Sequence, residues 1–175
     1  MMRPIRAACL GTATTLVALL AGASVATAAT DTDSAHAKGG DRVITVIGHL
    51  KQQSRFPVNP GGPAAQGDRT VVRSRLYDKN DKKKVGWTHG TCTTTLAKEN
   101  GGVEECVVTY VLPGGQLTVQ GLVFGILTKG VPTIPPPSFD NAITGGTGKF
   151  DRARGWVHAD TIGTGKRRFT IHLER

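Results

Sequence analysis

The chain has 175 residues, with 22 Lys and Arg against 13 Asp and Glu, a net charge of +9 and 5% aromatic residues. That length bounds it to one domain, large enough to bury a real core. A membrane helix needs about 20 consecutive apolar residues, and no stretch beyond residue 28 comes near that.

The chain opens with a basic patch, Arg3 and Arg6, followed by an uncharged stretch over residues 7–25. Ala26-Thr27-Ala28 then supplies the small-x-small pattern that signal peptidase accepts. A membrane anchor is the rival reading. Thr12, Thr14, Thr15, Gly22 and Ser24 weaken the apolar run, and no basic stop-transfer cluster follows. The pattern predicts a signal peptide over 1–28, removed on export, and a secreted, extracellular product with no membrane insertion afterwards. Residues 29–40 are small, polar and charged, which predicts a disordered leader. The folded domain is expected over 41–175.

From there period-two alternation recurs, the signature of strands with two unlike faces. Ile44, Val46 and Leu50 line one face of a first strand beginning near Arg42. Residues 70–77 form a second, ending at the turn Asp78-Lys79-Asn80-Asp81. Residues 85–97, rich in threonine, form a third. Asn100-Gly101-Gly102 offers the positive-φ residues of a hairpin turn, and 103–112 returns as a fourth strand. Pro113-Gly114-Gly115 turns into a fifth over 116–127. After a Pro-rich loop at 132–138 come strands near 139–144, 155–162 and 167–173. In the last, Phe169, Ile171 and Leu173 alternate with Arg168, Thr170, His172 and Glu174.

Eight short-linked antiparallel strands must close into a barrel or split into a sandwich, because an open sheet of that size exposes its edges. A closed eight-stranded barrel leaves an interior that side chains fill, or that holds one small ligand. The far end of the fifth strand is apolar on both faces, Leu122, Phe124 and Ile126 against Val123 and Leu127. The outer of these faces needs the Pro-rich loop or another subunit as cover.

Cys9 leaves with the signal, so Cys92 and Cys106 remain in a compartment where disulfides persist. A hairpin centred on Glu99 sets them opposite one another, within bridging distance. The two readings are a disulfide, or a free, partly buried Cys92 facing the interior. The basic runs Lys82-Lys83-Lys84 and Lys166-Arg167-Arg168 lack interleaved aromatics and read as solvated turns and strand ends. Polyanion adhesion is the alternative, and no nucleic-acid partner is expected.

Motif chemistry is sparse. Gly145-Gly146-Thr147-Gly148-Lys149 has Ile143 where a phosphate loop needs glycine and Phe150 where it needs Ser or Thr. It reads instead as a tight strand connection. No histidine pair has metal-ligand spacing, the 78–81 turn lacks a calcium-loop pattern, and no Gly-x-Ser-x-Gly elbow occurs. Neither a metal nor a cofactor is expected.

Several segments occur in a telling order. Gly67-Asp68 leads to Leu76-Tyr77-Asp78, then Lys83-Lys84-Val85-Gly86 leads to Gly90-Thr91-Cys92. Gln116-Leu117-Thr118-Val119-Gln120-Gly121 follows. The last is Ala142-Ile143-Thr144-Gly145-Gly146-Thr147-Gly148-Lys149-Phe150 with Ala153-Arg154-Gly155. Over residues 67–173 this set resembles the allene oxide cyclases and, in its last part, the dirigent proteins. The resemblance implies an all-β, eight-stranded antiparallel closed barrel, often a homotrimer, with an apolar cavity. Such cavities fold a small, apolar, unsaturated molecule into one conformer, either to close a ring as an isomerase or to steer a coupling. Holding one conformer supplies several kcal/mol through orientation alone. A non-catalytic carrier on the same barrel is the alternative.

By this resemblance Gly90 and Cys92 occupy the place of a strand glycine and pocket cysteine. The first-strand Glu of the cyclases has no counterpart, since Ile47-Gly48-His49 stands there. Cys92 and Glu104 are the catalytic candidates that remain. Tyr110 and Asn141, polar groups on otherwise apolar faces, are candidates for the cavity wall, with Asp78 at a barrel mouth and Arg154 beside the glycine-rich connection.

Overall fold

The computed structural model describes residues 42–99, 101–125 and 137–174. The expected signal over 1–28 and leader over 29–40 lie outside the described residues, as do Ile126, Leu127 and most of the Pro-rich loop.

Eight strands follow one another: β1 (Arg42–Phe56), β2 (Arg69–Tyr77), β3 (Lys84–Lys98), β4 (Gly101–Leu112), β5 (Gly115–Gly125), β6 (Ser138–Gly146), β7 (Arg154–Gly163) and β8 (Lys166–Glu174). Each is antiparallel to the next, and β8 pairs back onto β1, so the sheet is a closed barrel. Ile44 pairs with Ile171, Ile171 with Val157 and Val157 with Asn141, which packs on Gly121. Gly121 pairs with Cys106, Cys106 with Cys92, Cys92 with Thr70, and Thr70 with Arg55. The path re-enters β1 far above Ile44. That stagger is what tilts the strands and closes an eight-stranded barrel.

Alternation decides what lies inside. Val46, Leu76, Leu117, Val119, Val157, Phe169 and Ile171 form the lower core, all nearly or fully removed from solvent. The lower end is stopped by Phe150, 4% exposed, which a single 3-10 turn at Gly148–Phe150 drives in beside Leu112 and Leu173. The glycine-rich segment serves this stopper. Thr147 and Lys149 donate their amides to the carbonyls of Gln116 and Gly114, at 2.9 and 2.8 Å. Gly148, at φ +62, lies directly on the Gly114 carbonyl, where any Cβ would collide. The segment is a backbone-on-backbone connection, as its failed phosphate-loop pattern implied.

Two expectations shift. Gly101 and Gly102 do not form the β3–β4 turn; they already pair with Lys98 and Ala97. A bulge between Thr94 and Leu96 moves the register by one and lets the ladder run further. Leu50 does not join the interior face with Ile44 and Val46. It is 40% exposed, where β1 reaches a bulge between Leu50 and Gln52. Among the described residues, no helix is long and apolar enough to cross a membrane.

Candidate functional site in the upper barrel

Above the lower core the interior turns polar, and its wall residues shrink. Gly48, Gly90 and Gly121 face inward from mid-strand positions. Each leaves its space to a neighbour: the Phe169 ring, the methyls of Val108 and Val72, and the Asn141 amide respectively. Thr70, Thr88, Thr94, Glu104 and Asn141 are all buried, between 1% and 4% exposed. The Thr70 hydroxyl donates to Glu104 at 3.1 Å. The Thr94 hydroxyl and the Asn141 carbonyl oxygen have no hydrogen-bond partner among the described residues.

Arg167 is the unexpected member of this interior. It opens β8 on the face that carries Phe169, Ile171 and Leu173, and pairs across the backbone with Gly48. Its guanidinium lies 4.9 Å from the Phe139 ring centroid, a cation–π distance. Both of its amino nitrogens are shielded from solvent, and neither meets an acceptor among the described residues. Burial lowers its pKa, while the nearby Tyr110 works the other way.

Tyr110 is 3% exposed and sets its ring edge-on to Phe169, with centroids 5.3 Å apart. Burial pushes its hydroxyl far above the ordinary phenol range, against a smaller opposing pull from Arg167. The phenol therefore stays protonated and able to donate. Phe139 bridges the two parts of the interior, packing against the lower core and against Cys92, Cys106 and Val123.

The rim above is tied down by a buried ion pair. Asp68, 1% exposed, accepts from Arg55 at 2.8 Å and from the amides of Val58 and Ala65 at 2.8 and 3.0 Å. Burial raises its pKa, but the Arg55 bond and those two amides outweigh it and hold the carboxyl below its usual range. This staple closes the long β1–β2 connection onto the barrel.

Of the residues singled out from sequence, Tyr110, Asn141 and Glu104 do face the interior. Cys92 does too, but it is bonded to Cys106. The free-thiol alternative is thereby corrected: a bridged sulfur has no thiolate to act as nucleophile or acid. Asp78 does not reach the interior. It caps the β2–β3 turn, accepting from the amides of Lys82 and Lys83 at 2.8 and 3.2 Å. Arg154 is exposed at the start of β7 and donates to the Ala153 carbonyl.

Arg167 and Thr94 were not singled out. Alternation carried the signal for Arg167, which shares the odd-numbered face of β8, but its place in a basic run hid it. Among the described residues, no group of three or more His, Cys, Asp and Glu is placed to hold a metal ion. Among the described residues the interior thus gathers the Arg167 cation, the Glu104 carboxylate held by Thr70, the neutral Tyr110 phenol and the Asn141 amide carbonyl.

No family profile and no curated protein sequence matches the chain. Solved structures do. A pyocyanin demethylase superposes with a TM-score of 0.62 at 22% identity, over 76% of this chain and 100% of its own. A pterocarpan synthase dirigent protein gives 0.57 at 19%, over 77% and 87%. An exo-specific intermolecular Diels-Alderase gives 0.55 at 13%, over 77% and 99%. The chain has the closed eight-stranded barrel fold that dirigent proteins share with cycloaddition-catalysing barrels.

Proposed function

We propose that this is an exported barrel protein that binds a small, largely apolar, unsaturated molecule in its upper interior and steers its cyclisation, in the manner of an isomerase or a dirigent protein. The barrel fold common to dirigent and Diels-Alderase proteins supports the reading. The observation that carries it is the Arg167 guanidinium, buried beside Tyr110 and Phe139 with neither amino group hydrogen-bonded among the described residues. An unpaired buried cation costs several kcal/mol, so its retention fits a partner that arrives from outside. In such a site a carbonyl or enolate oxygen of the guest would sit on Arg167 while its chain lies on Phe139 and Val108. A flexible polyene held so loses its unproductive conformers, and that is the catalytic contribution.

The loss of a free thiol at Cys92 favours conformational steering over acid–base chemistry by a cysteine. It equally suits a second reading, a carrier without turnover. The homotrimer implied by the family resemblance belongs to this proposal as well.

Native mass spectrometry of protein purified from culture medium tests the proposal. The expected result is a chain beginning near residue 29, a two-proton mass deficit for the disulfide, and a retained or exchangeable apolar guest. A clean, empty protein unable to take up any polyene probe would overturn the interior-ligand reading.

A further inference from the structure

A groove of about 500 Å³ lies across β1–β4 on the outer wall of the barrel, on the opposite side of the sheet from the Arg167 interior. That volume is in the range of small-molecule sites, roughly 300–1,000 Å³. Phe56, Val71 and Val107 line it and are 57%, 40% and 44% exposed. Arg73 and His89, directly opposite one another in the β2–β3 ladder, line it too.

Arg73 also belongs to a cation cluster gathered around one indole. The guanidinium carbons of Arg73 and Arg75 lie 4.9 and 5.0 Å from the Trp87 ring centroid, and the Lys84 ammonium lies 4.4 Å from it. No ion pair joins any of these three to a carboxylate among the described residues. Arg75 Nε is moreover shielded from solvent with no acceptor among the described residues. Glu105, the carboxylate on the β4 part of this wall, accepts from the Gln120 amide at 2.6 Å and pairs with none of these cations among the described residues. Three like charges held around one ring repel one another, and an anion is what relieves that repulsion.

We propose that this groove is a second ligand site, separate from the interior, for a small amphiphilic anion. Its apolar body lies on Phe56, Val71 and Val107, and its anionic oxygens face Arg73, in the field of Arg75 and Lys84. A polyanionic polymer would have no use for the apolar floor, and the cations converge on one ring instead of tracking along the wall. A second copy of the chain meeting the same face about a two-fold axis would set cations against cations, and one meeting it head-to-tail in a trimer would leave the intact protein unable to bind the sulfonate.

The test pairs two fluorescent probes with a common ring system, 8-anilinonaphthalene-1-sulfonate and its uncharged parent N-phenyl-1-naphthylamine. The sulfonate is expected to bind the intact protein saturably, and Arg73→Ala to weaken it about tenfold, the scale of one charged hydrogen bond. The uncharged probe should change less than about twofold, and raising salt from about 50 to 500 mM should weaken the sulfonate alone. Val107→Asp, which puts a carboxylate into the floor, should abolish binding of the sulfonate. Arg167→Met should leave the sulfonate untouched, since that residue lines only the interior. Equal sulfonate binding by Arg73→Ala, loss of it in Arg167→Met, or no binding to the intact protein would each overturn the proposal.

Discussion

Cys92 and Cys106 stand directly opposite one another in the β3–β4 ladder and are joined by a disulfide. They are 14 residues apart in sequence, and cross-linking a loop of that size removes enough unfolded-chain entropy to stabilise by about 3 kcal/mol. The double variant Cys92→Ala/Cys106→Ala should therefore unfold at lower urea, with a loss of roughly that size. Thiol reductant should lower the wild-type midpoint towards the variant's and leave the variant unmoved. An equal response of both proteins to reductant would show that the bridge is not formed.

Asp68 makes a different kind of tie, because both members of its pair with Arg55 are buried. Removing one member leaves the other as an uncompensated charge, at a cost of about 3–5 kcal/mol. Asp68→Ala should lose stability on that scale, measured by denaturant unfolding near pH 7. The pH dependence has a definite sign. A carboxyl whose folded pKa lies below its unfolded value of about 3.9 stabilises fully above that value. The stability is then lost as pH falls through the lower, folded value. The wild-type urea midpoint should thus drop in acid by more than that of Asp68→Asn, whose amide does not titrate.

His158 reverses that sign. Its ring nitrogens meet Asp140 at 2.7 Å and Asp160 at 3.1 Å. The Asp140 bond, helped by Asp160 and opposed by burial, raises its pKa. A histidine whose folded pKa is raised stabilises fully below its unfolded value, near 6.5, and that stability fades as pH climbs through the folded value. All three side chains are at least a third exposed, so water screens the pairs and the effect stays under about 1 kcal/mol. Titration of the His158 ring by NMR should give a midpoint above that of an unstructured histidine, and Asp140→Asn should bring it down. A midpoint indifferent to Asp140→Asn would show that the pair does not form in solution.

The barrel was legible because alternation is a local property. Phe169, Ile171 and Leu173 declare an inward face without reference to any other strand, and the spacing of Cys92 and Cys106 around their hairpin gave the ladder that the structure shows. Interior polar groups were legible on the same terms, as Tyr110 and Asn141 illustrate. What depended on partners was not. Asp78 looked like a mouth residue because its role lies in amides four and five positions on. The gathering of Arg73, Arg75 and Lys84 around Trp87 needed the β2–β3 register, which sets Trp87 directly opposite Arg75. Arg167 was hidden by its neighbours, since a basic run at a strand start reads as solvated unless the closed barrel assigns its face.

The Arg167 interior predicts a trade between stability and binding. With both amino nitrogens buried and without a hydrogen-bond partner among the described residues, the guanidinium carries a desolvation cost that no described hydrogen bond offsets. Arg167→Met keeps much of the length and apolar volume, so it should retain the contact with Phe139 while removing the charge. The empty variant should therefore be more stable than wild type by about 1–2 kcal/mol in urea unfolding. Uptake of a conjugated polyene bearing a carbonyl should fall about tenfold or more, the worth of a charged hydrogen bond in a dry site. A purely structural arginine would give the opposite pattern, a destabilised protein whose affinity is unchanged once folded. Arg167→Lys separates the two further, because it restores a charge but not the planar fork that addresses a carbonyl oxygen. It should recover only part of the binding and none of the stability gained by methionine.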